Sequence, residues 1–271
     1  MCLMIRAAFN LTELPFSKEI DNTRLFMHPQ FQEFTARLRL LCENRGIGLF
    51  TGEVGCGKST AIRSVLEGLS PQTHRVVYLY RGLDHIGAFY TQMAAELSII
   101  PKFRKPDVAR QVLSAIEELY TQQKILTVLV IDEAHLLKAD ILDEIRLMHN
   151  SCYDSCDYLT TALVGQPPLK KMITLIKYLP LRQRISVAGH ICPLSKDQAY
   201  HYFEHHLTAV GAERKIFLDN ALETIVTVSK GVPRMINTLA LKSMHRAAVD
   251  KKQSVVDQEC VMAVLDELGL K

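Results

Sequence analysis

The sequence has no long apolar run. None approaches the roughly 18 residues that a membrane helix needs, and Ile125 to Ile131, among the longest, is only strand-length. No membrane span is expected. Met1 to Asn10 lacks the apolar core and cleavage site of a secretory leader, so the cytoplasm is the expected compartment. The cysteines form no framework. Cys2, Cys42, Cys56, Cys152, Cys156, Cys192 and Cys260 are scattered and odd in number, which fits reduced thiols. His149, Cys152 and Cys156 are spaced suggestively, but no fourth ligand or second pair lies near, so a closed zinc site is not expected. There is little excess of one charge. A net charge of +3 permits contact with nucleic acid without arguing for it. Internal repeats and low-complexity segments are also missing.

What is present is a chain of 271 residues, 48% hydrophobic and 23% charged. That is enough for a substantial core in one large domain or two smaller ones. Its centre is Gly52-Glu53-Val54-Gly55-Cys56-Gly57-Lys58-Ser59, which fits G-x-x-x-x-G-K-S/T, the phosphate-binding loop. The short apolar run Gly48 to Thr51 precedes it as a buried strand. From Thr60 a helix follows, with Ile62, Val65, Leu66 and Leu69 on one face. In this context the glycines let backbone N–H groups turn inward around phosphate oxygens, and the helix N-terminus adds partial positive charge. Lys58 can reach the outer phosphates, and the Ser59 hydroxyl can hold Mg²⁺. Cys56, at a variable position of the loop, would make it sensitive to thiol reagents.

Strands and helices alternate through the first two thirds of the chain. A helix is expected over about 30–43, strands at 76–80, 126–131 and 159–164, and a short strand within 185–191. Helices are expected between them, one capped by Asp84 and one over 168–178. This alternation predicts an α/β domain with a five-stranded parallel sheet. From Ser195 the pattern is all helical. The expected domains are therefore 1–192 and a helical lid, 193–271.

The run Val128 to Ile131 is apolar and ends in Asp132-Glu133. A carboxylate at that strand end, Asp132, can bind Mg²⁺ directly or through water, and Glu133 can orient and deprotonate an attacking water. Together the two motifs indicate nucleotide hydrolysis. Arg182 and Arg184 are either a surface basic pair or a source of an arginine finger for a neighbouring subunit's γ-phosphate. Arg234, after Gly-Val-Pro, is either a first-turn surface residue or a reporter of nucleotide state. Gln166 is either part of a turn or a partner of the attacking water. Lys102, Arg104 and Lys105 form a dense basic cluster between two prolines. It is either a solvated turn or a phosphate-contacting loop on duplex DNA.

Pro15-Phe16, the phosphate loop, Val-Ile-Asp-Glu-Ala-His, Val-Gly-Gln-Pro-Pro-Leu, Leu-Arg-Gln-Arg-Ile and Gly-Val-Pro-Arg-Met-Ile-Asn occur in this order. The chain thereby resembles the AAA+ ATPases of the ExeA/GspA-like group, close to the transposition ATPases TnsC, TniB and MuB. The resemblance covers about residues 9 to 268. It implies an AAA+ P-loop NTPase with a helical lid that takes ATP and Mg²⁺ at sites between subunits of a ring or filament. Gly52 to Thr60, Asp132, Arg234, Pro15 and Phe16 would line the nucleotide. In the transposition branch such proteins assemble on double-stranded DNA and recruit or activate a transposase, with a target-selector protein as a further partner. The secretion branch carries a transmembrane segment and a peptidoglycan-binding region, and neither is expected here. The transposition reading is therefore preferred. A secretion-assembly or signalling ATPase acting on protein partners, and a replication-initiator or clamp-loader-like ATPase, are the alternatives.

Overall fold

A computed structural model describes residues 2–17, 20–81, 83–150 and 156–270, without the side chains of Cys2, Leu3 and Lys105. The chain divides into two compact units. One comprises 29–53 and 58–191, the other 1–28, 54–57 and 192–271. The N-terminal 28 residues therefore pack with the helical C-terminal segment, not with the sheet as the expected 1–192 domain had it. Helix α1 (Cys2–Phe9) explains why: its Ile5 and Phe9 are buried in the helical unit's core.

The sheet unit begins with α2 (Pro29–Asn44), whose Phe31, Phe34, Leu38 and Leu41 are buried on one face. The helix ends where Arg45 and then Gly46 take positive φ, +63° and +94°. Strand β1 (Gly46–Gly52) follows, then α3 (Lys58–Leu66) and β2 (His74–Leu79). Helix α4 (Ile86–Glu96) is capped by His85, not by the expected Asp84: the imidazole Nδ1 accepts from the Ala88 N–H at 3.0 Å. Helix α5 (Lys105–Gln123) has Pro in its first turn, where a missing N–H costs nothing. Its stripe of Val108, Val112 and Ile116 is buried.

Strand β3 (Leu126–Ile131) is buried at every position, which both faces of a parallel sheet require. Truncating a fully buried leucine such as Leu129 would cost about 2–5 kcal/mol. Helix α6 (Ala139–Met148) and β4 (Leu159–Gly165) follow. The single helix expected over 168–178 is broken. Helix α7 (Pro167–Ile173) stops, a 3₁₀ turn covers Ile176–Tyr178, and α8 (Leu179–Gln183) leads into β5 (Ile185–Ile191). All pairings are parallel, in the order β2-β3-β4-β1-β5. Parallel strands place their C-terminal ends along one edge. That edge joins the ends of β1, β3 and β4, where a ligand crevice belongs.

The helical unit packs α1 with α9 (Lys196–Thr208), α10 (Asp219–Ser229), α11 (Pro233–His245) and α12 (Gln258–Glu267). Ser195 and Gln198 form a reciprocal capping box at the start of α9. A π-helical stretch, Arg246–Asp250, extends α11. Among the described residues, no helix is long and apolar enough to cross a membrane.

Candidate functional site

The phosphate loop leaves β1 and enters α3, as its sequence context requires. Gly55 and Gly57 have φ of +80° and +98°, a region that side chains resist. At Gly55 a Cβ would also stand 2.8 Å from the Arg234 Cβ. The Lys58 ammonium is buried and donates to the carbonyls of Gly52 and Glu53 at 2.8 and 2.9 Å. Those two bonds arch the lysine over the turn it is to serve. The Cys56 side chain is 2% exposed, so its thiol does not offer the reagent-accessible site expected from sequence.

Beside the loop, Asp132 follows β3. Its Oδ1 accepts from the Glu133 N–H at 2.9 Å. Its Oδ2 accepts from the Tyr78 hydroxyl at 2.6 Å and faces the Ser59 hydroxyl at 3.4 Å. Tyr78 comes from β2, opposite Val130 in the ladder. Burial and the Asp132 hydrogen bond push its phenol well above the ordinary range, so it stays a donor at neutral pH. Ser59 and Asp132 thus form a pair of hard oxygen donors of the kind Mg²⁺ takes from protein.

Glu133 has φ +53°, unusual for a residue with a Cβ. This left-handed turn follows the strand directly, and the carboxylate remains 44% exposed. Its Oε2 lies 3.4 Å from the Gln166 amide nitrogen and 3.3 Å from His135 Nδ1. His135 Nδ1 also faces the Gln166 backbone N–H at 3.5 Å. Gln166 stands at the end of β4, and its side chain reaches the carboxylate expected to act as base. Sequence reasoning missed Tyr78 and His135. The histidine was visible as part of Asp-Glu-Ala-His, whereas nothing in one sequence marks a strand tyrosine as a carboxylate's partner.

Other expected residues lie elsewhere. Arg184 caps α8 just before β5, whose Ile185 pairs with Ile47 at the start of β1. The phosphate loop leaves the opposite end of β1, about 20 Å away at strand rise. Arg184 Nη1 donates to the His149 carbonyl at 3.1 Å, and Arg182 is exposed. His149, considered above for zinc, has both ring nitrogens engaged, with Asp157 at 3.3 Å and Thr161 at 2.9 Å. Cys152 lies outside the described residues.

In the helical unit, the Arg234 N–H donates to the Gly55 carbonyl at 3.2 Å and its side chain is exposed. Phe16, expected at the nucleotide, is instead a core residue. It is 1% exposed, with ring centroids 4.7 Å from Phe203 and 5.2 Å from His206, and Pro15 beside it is buried too. Its ring is fully occupied by packing. Lys102 and Arg104 are exposed, and Phe103 between them is fully so. The Lys105 side chain lies outside the described residues, though its backbone opens α5.

Residues 40–173 match the family model for an AAA domain. The chain is 28% identical over 271 residues to general secretion pathway protein A of Aeromonas hydrophila, covering 97% of this chain and 48% of that protein. It thus spans about half the length of that relative. Among solved structures, Cdc6p from Pyrobaculum aerophilum is similar with a TM-score of 0.72 at 18% identity, over 93% of this chain and 70% of that one. The ORC1 protein of Aeropyrum pernix, solved in complex with DNA, gives 0.70 at 14%, over 90% and 67%. With the AAA domain match over 40–173, the five-stranded parallel sheet and the helical C-terminal segment, the chain has the α/β fold of an AAA+ P-loop ATPase.

Proposed function

We propose that the protein hydrolyses ATP at interfaces between copies of itself, and that it is an ATP-dependent, DNA-bound regulator of DNA transposition. One observation carries the hydrolytic reading. Lys58, Ser59, Asp132, Glu133 and Gln166 share one edge of the sheet, while Arg184 stands at the other end. A subunit therefore cannot bring its own Arg184 to its own phosphates, and a complete site needs a second copy.

The geometry supports the following roles. The loop amides and Lys58 hold the phosphates. Ser59 and Asp132 would hold Mg²⁺, which would supply charge compensation for the phosphates when bound. Tyr78 fixes the Asp132 carboxylate in rotation. Glu133 accepts the proton of the attacking water, and the Gln166 amide and His135 hold Glu133 in place for it. Arg184, with exposed Arg182 beside it, supplies cationic charge to the neighbour's γ-phosphate. Arg234 reports nucleotide state to the helical unit through its link to Gly55.

The DNA reading is supported by the exposed loop carrying Lys102 and Arg104, with Lys105 at the start of α5. Repeated in each subunit of a ring or filament, such a loop lines a phosphate backbone. The transposition reading rests on the resemblance to a group that lies close to TnsC, TniB and MuB, and a transposase would be the partner. The likeness to general secretion pathway protein A favours a second reading, an ATPase acting on protein partners alone.

A gel shift on duplex DNA with ATP, ADP and a non-hydrolysable analogue separates the two. The parent should bind with ATP or the analogue, with little dependence on sequence and a steep loss with salt. Replacing Lys102, Arg104 and Lys105 together by alanine should abolish the shift while ATP binding persists. An unchanged shift would move the DNA surface elsewhere. No shift by the parent under any nucleotide would favour the protein-partner reading.

A further inference from the structure

The far end of the sheet holds a buried imidazole that hydrolysis chemistry does not use. His149 follows α6 and is 3% exposed. Its Nδ1 lies 3.3 Å from Asp157 Oδ1, and its Nε2 lies 2.9 Å from the hydroxyl of Thr161 in β4. A carboxylate can only accept, so Nδ1 is the donor to Asp157, while Nε2 shares a hydrogen bond with the Thr161 hydroxyl. The hydrogen bond from His149 leads the influences that hold the Asp157 carboxyl below its usual range, with the charges of Arg184 and Arg45 behind it.

Clamped at both nitrogens, the ring fixes the residue's backbone, and the His149 carbonyl accepts the hydrogen bond from Arg184 Nη1 at 3.1 Å. Arg184, His149, Asp157, Arg45 and Ser186 line one open cleft. Arg45 is itself set, its guanidinium 4.6 Å over the Tyr120 ring and donating to the Asp157 carbonyl at 3.4 Å. An arginine side chain has many rotamers, and a site that must meet a neighbour's phosphate gains if the guanidinium is ordered beforehand.

We propose that His149 and Asp157 are positioning residues for Arg184: the imidazole, clamped between Asp157 and Thr161, sets the carbonyl that aims the guanidinium into the cleft, toward the nucleotide of an adjoining copy. The inference rests on the reading of Arg184 as acting in trans. It also gives the arrangement a direction. Thr161 belongs to β4, which ends one residue before Gln166, so the clamp joins the arginine to the strand that leads to part of the subunit's own hydrolytic edge.

The Asp157 side chain is 39% exposed, so it can be replaced without opening the core. In the full chain, Asp157→Ala should lower kcat on the order of ten- to a hundredfold through misplacement of Arg184. Its affinity for a fluorescent ATP analogue should stay at the parent value, and its melting temperature should fall by only a few degrees, because the buried Nδ1–H loses its partner. Asp157→Asn keeps an oxygen that accepts from Nδ1 and should retain most of the turnover. Added to Arg184→Ala, Asp157→Ala should cause no further loss, because both changes remove one contribution. His149→Phe, which keeps a ring but neither hydrogen bond, should repeat the Asp157→Ala pattern; if it does not fold, the two Asp157 variants decide alone. A parent-like kcat for Asp157→Ala, or a full additional loss in the double variant, overturns the positioning role and leaves Arg184 in trans untouched. An Arg184→Ala protein that turns over at the parent rate overturns the trans reading itself.

Discussion

Glu133 and Tyr78 are the two side chains whose chemistry can be tested most simply. Glu133 is half-exposed, next to the loop, and turned out of the strand by its positive φ. Glu133→Gln keeps the shape but cannot take a proton from water. It should bind ATP as the parent does and lose about a hundredfold or more in turnover. Steady-state hydrolysis beside nucleotide titration checks this, and parent-like turnover would assign the base elsewhere. Tyr78→Phe removes the hydrogen bond to Asp132 Oδ2 without removing the ring. Freed to rotate, the carboxylate should need about tenfold more Mg²⁺ for half-maximal hydrolysis. An unchanged Mg²⁺ midpoint would make the phenol a bystander. The contrast between these residues also marks what one sequence discloses. Asp132 and Glu133 stand at a strand end in a motif with a mechanism. Tyr78 reaches the same carboxylate from another strand, and only the register of β2 on β3 brings it there.

Among the elements, the sheet was the most legible. Five apolar runs with loops between them, one a phosphate loop, leave few arrangements for a parallel sheet. Boundaries were less so. His85 caps α4 although Asp84 is the commoner capping type, because the side chain that meets the Ala88 N–H depends on backbone direction at the turn. Helix α1 was not foreseen. It is short and carries no cap signal, and it is helical because Ile5 and Phe9 are buried against residues nearly 200 positions later in sequence. Phe16 shares that core, stacked on His206.

This packing has a pH consequence. His206 is 5% exposed, and burial, with the neighbouring His205, pushes its pKa down to about 4. An unfolded chain takes the proton near pH 6.5, and the folded one refuses it until about pH 4. The proton therefore favours the unfolded state between these values, and stability is lost as pH falls through that window, by up to about 3 kcal/mol. His206→Phe should abolish this part of the loss. Melting temperatures of parent and variant, taken from pH 7 to pH 4.5, should diverge in the variant's favour below about 6.5. A gap that does not change with pH would contradict the assignment.

For the whole molecule, the proposal turns on the two ends of one sheet. Lys58, Asp132 and Glu133 stand at one end and Arg184 at the other. The family resemblance implies a shared site, and the proposal takes its support from strand direction, since β5 runs parallel to β1 and starts where β1 starts. The expected boundary near 192 placed residues 1–28 with the sheet because they precede it in sequence. Burial of Ile5, Phe9 and Phe16 puts them with the helices instead.

A mixing experiment tests the shared site most directly. Arg184→Ala and Glu133→Gln proteins should each bind ATP and hydrolyse it poorly. Combined, they should regain activity, because some interfaces then join an intact Glu133 from one copy to an intact Arg184 from the next. The account predicts a maximum near equal proportions, at rates well above the sum of the two alone. Turnover that stays at that sum, in mixtures shown by labelled subunits to co-assemble, would contradict it.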